Sequence, residues 1–285
     1  MKTILLILSA AILLVGCVQT IAIRTVGGIM DHGLEAFNEE GDLQLAQEAL
    51  GANLKLIEAL LKGDPENEKL LLLAAQGYSA YALAFAEDDD PVRAHALYGR
   101  ARDYGLRILT QEARFRNAAA KDFDAFRAAL VSFSREDLPS IFWTAFAWGA
   151  YINTGRADVA AIADLPRVNA LMDFVVRHDS TYYYGGAYLS LGTIEGSTPP
   201  MLGGKPEKAR EHFETCLRIN EGKFLMTHVY FASTYAVQVQ NRELFETLLK
   251  TVLDAPADIL PEARLPNAVA KRKAERWLSQ INELF

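Results

Sequence analysis

Apolar residues recur every three or four positions along most of this 285-residue chain, and each such repeat marks one face of a helix. One apolar stripe consists of Tyr98, Ala101, Tyr104 and Ile108. The alternation typical of strands is scarce, and its clearest stretch, residues 235–240, lies inside a longer helical pattern. The chain is therefore predicted to be all-α, with helical hairpins forming a compact bundle.

Prolines divide this pattern into separate helices. Asp64-Pro65 and Asp90-Pro91 each place a capping carboxylate before a proline, which the first turn of a helix accommodates without losing a hydrogen bond. The same position is expected for Pro139, Pro166 and Pro206. The prolines therefore predict helix starts rather than breaks within helices.

The segment Gly192–Gly204 is rich in glycine and proline and is predicted to be the longest irregular insertion. Long loops on rigid scaffolds often carry function, so it is a candidate rim or partner-contact loop. An inert surface loop is the alternative. The candidate contact residues are Glu195, Pro199, Pro200 and Met201.

Small and aromatic residues fall at offsets similar to those of tetratricopeptide repeats, in which two helices approach closely where side chains are small. The first helix of one unit would contain Tyr78, Ala82 and Phe85, and its second would contain Ala94 and Tyr98. The units do not follow a strict period of about 34 residues. The sequence thus predicts degenerate repeats, with an ordinary irregular helical domain as the alternative.

The N-terminus has the layout of a bacterial secretory signal peptide that ends at a cysteine. Its apolar run of about 13 residues is shorter than the roughly 20 that span a bilayer as a helix. The order Leu14-Val15-Gly16-Cys17 resembles a lipobox, with a chance cysteine as the alternative. It predicts a signal peptide over residues 1–16, a lipid on Cys17 and a tethered segment over residues 17–33, followed by the helical domain 34–285.

Acyl chains on Cys17 would hold the protein at a membrane surface. The next residue is Val18, at a position where aspartate commonly marks retention in the inner membrane. We therefore expect a protein of the bacterial cell envelope, anchored in the outer membrane and facing the periplasm.

The composition narrows the class of function. The chain is 51% hydrophobic and 23% charged with a net charge of −7, which is typical of a globular domain and disfavours nucleic acid as a partner. Cys216 lies in a helical apolar pattern and is expected in the core. Gly204-Lys205 resembles the end of a phosphate-binding loop, but Pro206 replaces the required Ser or Thr. We expect no enzyme, no cofactor and no metal.

Aromatic residues concentrate between Ile141 and Ile152 and again at residues 182–184. An apolar helix without a polar face is usually central in its domain. One interpretation is that these aromatic residues pack the core. The other is that some of them line a channel for a ligand with an apolar body and a polar head. The candidate lining residues are Trp143, Phe146, Trp148, Tyr183 and Tyr188.

Several sequence blocks together resemble the T component associated with tripartite ATP-independent periplasmic (TRAP) transporters, the TatT family. The resemblance covers roughly residues 34–285. The resemblance rests on residues 54–61, 100–107, 142–152, 185–204, 209–214 and 264–267.

The resemblance implies an envelope lipoprotein of cryptic tetratricopeptide repeats that forms homotrimers, with a channel through each protomer. It implies association with the periplasmic solute-binding protein of the transporter and a small hydrophobic or carboxylate ligand. It maps the lipidated cysteine onto Cys17 and supplies no catalytic residue. The alternative function is a protein–protein scaffold in cell-envelope assembly that binds no small molecule.

Overall fold

The computed structural model describes residues 32–155, 158–199, 201 and 204–285, and within them it contains helices and no strand. The all-α prediction is confirmed. Helix α1 covers residues 32–38, and a π-helix covers Phe231–Ala236. The remaining helices are α2 (Leu43–Gly63), α3 (Glu68–Phe85), α4 (Pro91–Leu109), α5 (Ala113–Ala119), α6 (Phe123–Ala129), α7 (Leu138–Thr154), α8 (Val159–Ile162), α9 (Leu165–Asp179), α10 (Tyr182–Ser197), α11 (Pro206–Ile219), α12 (Met226–Tyr230), α13 (Arg242–Asp254), α14 (Arg264–Ser279) and α15 (Ile281–Leu284).

Helices that follow each other along the chain pack as hairpins. Helix α3 packs against α2 and α4, α10 packs against α11, and α13 packs against α14. Helix α7 is the central element because it contacts α3, α4, α9 and α10. Its buried residues lie on all sides, as its apolar sequence predicts. The tetratricopeptide character of the hairpins stays a prediction.

Helix starts follow the proline pattern at four of five positions, since Pro91, Pro139, Pro166 and Pro206 all lie in the first turn of a helix. The prediction for Asp64-Pro65 is wrong. Asp64 ends α2, and α3 begins after Asn67, whose side chain accepts a hydrogen bond from the Leu70 amide. A better capping side chain two residues beyond the proline thus determines where α3 starts.

The segment 192–204 is less irregular than predicted, because α10 continues to Ser197. A Cβ atom at Gly192 would lie 3.2 Å from the Phe213 ring, and one at Gly196 would lie 3.1 Å from the Thr234 hydroxyl. These glycines allow α10 to pack closely against α11 and the π-helix, and this packing outweighs their low helix propensity.

Only the part of this segment after Ser197 leaves the helix. Glu195 therefore lies on α10 rather than in a loop, where a carboxylate oxygen lies 3.0 Å from the Nδ1 atom of His212. Met201 is 90% exposed. Pro200 lies outside the described residues.

The predicted signal peptide and Cys17 also lie outside the described residues, so the division of residues 1–33 from the helical domain stays a prediction. Within the part of the chain that the structure describes, no helix combines the length and the apolar character that crossing a bilayer requires.

Candidate functional site

A cavity of about 1000 Å³ lies beside α7 and is bounded by residues of helices α1 to α4, α7 to α12 and α14. Its size matches the upper end of ligand pockets, which span about 300–1,000 Å³. Its lining is mainly apolar and aromatic, with several polar side chains among them. Binding sites for small molecules commonly combine these features.

One wall of the cavity is aromatic. Helix α7 contributes Phe142, Trp143 and Phe146, and α10 contributes Tyr182 and Tyr183. The Trp143 and Tyr183 rings meet edge to face with centroids 4.8 Å apart, and Trp143 meets Phe146 similarly at 5.6 Å. Such edge-to-face contacts are a favourable arrangement of aromatic rings. The wall is therefore a mutually supported aromatic surface.

The sequence candidates divide between this wall and other parts of the fold. Trp143, Phe146, Tyr183 and Pro199 line the cavity. Trp148 does not line it. Its ring lies 6.4 Å from that of Phe126, which does not line the cavity either.

Tyr188 is also absent from the cavity lining among the described residues. Its ring lies 5.8 Å from the imidazole of His212, beside the contact between His212 and Glu195. Glu195 likewise does not line the cavity. Tyr188 and Glu195 of α10, together with His212 of α11, thus belong to the contact between these two helices.

The aromatic wall depends on an unusual backbone at the start of α10. Tyr183, Tyr184 and Gly185 have φ angles of 47°, 59° and 79°, which form a short left-handed turn. Each tyrosine in this conformation costs about 1–2 kcal/mol. Such strain persists where the surrounding structure enforces it, and it is concentrated at functional sites.

Two neighbouring glycines accompany this turn. Gly185 supplies the third positive φ, and a Cβ atom at Gly186 would lie 2.7 Å from the Phe142 ring. The carbonyl of Tyr184 accepts a hydrogen bond of 3.1 Å from the Asn220 amide. The Gly-Gly pair after three tyrosines was the available sequence signal, but the pattern alone did not predict left-handed tyrosines.

A polar cluster in the cavity wall is built around Glu87, which lies two residues after the end of α3. Its carboxylate accepts hydrogen bonds from the hydroxyls of Tyr98, at 2.5 Å, and Tyr230, at 3.2 Å. Lys273 of α14 lies 3.5 Å from Glu87 and 2.7 Å from Asp88. Burial and the Glu87 charge raise the pKa of both tyrosines well above the ordinary value, so both stay protonated donors.

Sequence reasoning missed this network. The sequence predicted only the capping role of Asp90, which the structure shows as a hydrogen bond from the Arg93 amide. Lys273 is 2% exposed, and no local pattern predicts a buried lysine. Its aspartate partner lies 185 residues away along the chain.

The π-helix directly follows Tyr230. Residues 235–240 were predicted to be helical, and the structure has the π-helix to Ala236, a helical residue pair at 237–238 and then a turn. The extra residue per turn of a π-helix changes the direction of the side chains around it, and such segments are frequent at functional sites. Here it lies next to a tyrosine that contacts the cavity.

Three buried polar atoms of lining residues have no hydrogen-bond partner within the described structure. These are the Ser79 hydroxyl, on α3, the Trp143 indole N–H, on α7, and the Asn220 side-chain oxygen, after α11. Buried polar atoms are normally paired, so an unpaired one in a cavity wall is available to a bound molecule. Burial raises the pKa of Tyr182 and Tyr183, so their phenol groups are also uncharged donors.

The described residues show neither a metal site nor a reactive thiol. They contain no group of His, Cys, Asp or Glu that could hold a metal ion. Cys216 is fully buried, and burial raises the pKa of its thiol to about 11, which disfavours the reactive thiolate. Its expected position in the core is confirmed.

A family model described as the TRAP transporter T-component, TAtT, matches residues 39–285. This chain belongs to the TRAP transporter T-component family. The resemblance found in the sequence is thereby confirmed. None of the curated proteins matches this chain. Its family makes it an accessory component of a TRAP transport system, associated with the cell envelope.

Proposed function

We propose that this T-component binds a small molecule with an apolar body in the cavity beside α7 and passes it to the periplasmic solute-binding protein of its transporter. The cavity is the observation that carries this function. A protein that only collected other proteins would have no need of a space of about 1000 Å³ lined by aromatic rings. The scaffold alternative, without a small ligand, has no comparable structural support.

The ligand-binding part of the proposal rests on the residues that line the cavity. Apolar side chains would bury the body of the ligand, which stabilises binding by about 25 cal/mol for each Å² removed from water. The unpaired oxygens of Ser79 and Asn220 would orient a polar group. The family resemblance implied a hydrophobic or a carboxylate ligand, and the ligand-binding function proposed here does not depend on which of the two is bound.

The remaining parts of the proposal concern location and assembly. We infer that Cys17 carries a lipid that anchors the protein in the outer membrane facing the periplasm, and that the T-component forms a homotrimer. The lipobox-like order of residues 14–17 supports the anchor, and the family resemblance supports the trimer. Mass spectrometry of the membrane-extracted protein tests the anchor, and a Cys17→Ser variant is expected in the soluble fraction without acyl mass.

A neutral naphthylamine dye, which fluoresces in apolar surroundings, tests the cavity in the purified protein. We expect saturable binding that Ala80→Trp weakens, because Ala80 of α3 lines the cavity and a tryptophan there would occupy part of its space. The matched control is Ala113→Trp on α5, an exposed alanine outside the cavity, which should bind the dye like the wild type. Equal binding by both variants would contradict a ligand role for this cavity.

Crosslinking in intact cells, followed by purification from detergent extracts, tests the partner. We expect the solute-binding protein of a TRAP transporter as the dominant crosslinked species. Recovery of envelope-assembly proteins in its place would favour the scaffold function.

A further inference from the structure

The charges around the cavity restrict the head group of its ligand. Glu87 is the only charged side chain in the described lining, which contains no lysine, arginine or histidine. A carboxylate that enters such a site loses its hydration without gaining a cationic partner, and a buried unpaired charge is strongly unfavourable. The Glu87 carboxylate in the wall adds repulsion.

A cationic head group is also poorly matched, because Glu87 already has its partners. Two tyrosine hydroxyls donate to it, and Lys273 lies 3.5 Å from one of its oxygens. Lys273 in turn lies 2.7 Å from Asp88, with its side chain 3% exposed. A second cation would compete with this buried ammonium for the same carboxylates and would be repelled by it.

Uncharged groups remain, and the lining offers them partners. The Ser79 hydroxyl can donate or accept, and the free Asn220 oxygen accepts. The amide of Asn220 is held in this orientation because its nitrogen donates to the carbonyl of Tyr184. An acceptor fixed in this way selects a donor such as a hydroxyl or amide group.

We propose that the cavity selects an uncharged amphiphile, with an apolar body and a hydroxyl or amide head, over carboxylates and amines of the same length. This inference rests on the ligand-binding function proposed above. It assigns the exclusion of anions to Glu87 and the recognition of the head group to the neutral polar residues of the wall.

The test measures displacement of the neutral dye from the wild-type protein by decanol, decanoate and decylamine at neutral pH. Decanol is expected to displace the dye at a concentration at least about tenfold lower than the two charged compounds, a factor that corresponds to about 1.4 kcal/mol. Decanoate or decylamine that competes as well as decanol would overturn the head-group inference and leave the ligand-binding function intact. Absence of dye binding and of any effect of the three compounds would overturn both.

A Glu87→Gln variant tests the assigned residue. In this variant, the ratio of the concentrations at which decanoate and decanol displace the dye should fall by about tenfold, because the Glu87 carboxylate that repels decanoate is gone. Glu136→Gln, at an exposed position outside the cavity, should retain the wild-type preference. An unchanged preference in a folded Glu87→Gln protein would overturn the role of Glu87. If this variant does not fold, the three-compound series on the wild type decides the inference by itself.

Discussion

The two tryptophans of α7 have the same exposure and opposite roles in the structure. Trp143 and Trp148 are each 7% exposed, and they lie five residues apart in one apolar sequence. Five residues correspond to about 140° of rotation around a helix, so the two rings leave α7 on nearly opposite sides. Trp143 borders the cavity, whereas Trp148 lies in a filled core with Phe126. Burial alone therefore does not distinguish a packing residue from a lining residue.

The backbone differs between the two sides as well. The cavity side contains the left-handed turn at residues 183–185 and the π-helix at residues 231–236. Among the described residues of α5 and α6, which contribute no residue to the cavity lining, none has a positive φ. Regular helices pack their side chains into each other's grooves and leave little space. The comparison teaches that irregular backbone coincides here with the open side of α7.

The largest expected effect comes from truncating the filled side. Trp148→Ala should lower the free energy of unfolding by about 3–5 kcal/mol, because it removes a large side chain from a packed core. Its affinity for the naphthylamine dye should stay near the wild-type value. Urea denaturation and dye titration of the same preparation check both quantities.

The matched variant is Trp143→Ala. It should lose less stability than Trp148→Ala, because the cavity already leaves one side of the ring without packing partners, and it should weaken dye binding. Equal losses of stability with unchanged dye binding in both variants would contradict the distinction between the two sides.

A second prediction tests how much the buried ion pairs of Lys273 contribute to the stability of the protein. Lys273→Ala should destabilise the protein by about 3 kcal/mol, since Asp88 and Glu87 lose a buried cationic partner. Arg276→Ala, one turn further along α14, removes an ion pair to the exposed Asp89 and should cost about 1 kcal/mol or less. Denaturant midpoints at matched slopes provide the measurement, and a similar cost for both variants would argue against a special role of the buried pair.

A third prediction concerns the contact that positions α7. A methyl group at Gly105 of α4 would overlap the Thr144 hydroxyl and lie 3.0 Å from the Thr144 Cα, so Gly105→Ala should destabilise by about 2 kcal/mol. In Gly51→Ala, the new methyl group would lie 3.7 Å from the Tyr81 ring, at ordinary contact distance. This control should be neutral or slightly stabilising, because alanine favours helix. Thermal melts that rank the two variants in the opposite order would show that α4 and α7 can separate without loss.

The smallest expected effect is a pH dependence on the cavity side. The His228 Nε2 atom donates to the Gly222 carbonyl, Nδ1 has no partner, and burial lowers the pKa of the imidazole. The unfolded chain therefore binds the proton more readily, and the stability contributed by neutral His228 is lost as pH falls below about 6.5 through its lower folded pKa.

Melting temperatures between about pH 8 and pH 5 check this sign. The wild type should lose more stability on acidification than His228→Gln does. The control is His178→Gln, an exposed position on α9 that does not line the cavity. Parallel pH profiles for the wild type and His228→Gln would contradict the prediction.

Much of the fold could be predicted from the sequence. The all-α class and four of the five proline helix starts follow from local pattern, because a backbone hydrogen bond in a helix spans only four residues. The two errors have different causes, one local and one tertiary. At Pro65 a stronger cap nearby prevailed, and at Gly192 and Gly196 close contacts with α11 and the π-helix prevailed over propensity.

The site was only partly predictable. Pattern identified the aromatic helix and the three tyrosines, and Trp143, Phe146 and Tyr183 do line the cavity, although their contact with a ligand stays a prediction. Glu87 and Lys273 gave no signal, since a charged residue in a sequence is expected at the surface.

By itself, the sequence determined the helices, their central apolar member and the family, because each depends on residue types at short or fixed spacing. Only the tertiary structure decided which face of α7 borders empty space, how Tyr183 and Tyr184 turn left-handed, and which carboxylates receive the buried lysine. A cavity is a property of how distant helices fail to fill the space between them, and no local pattern records that space.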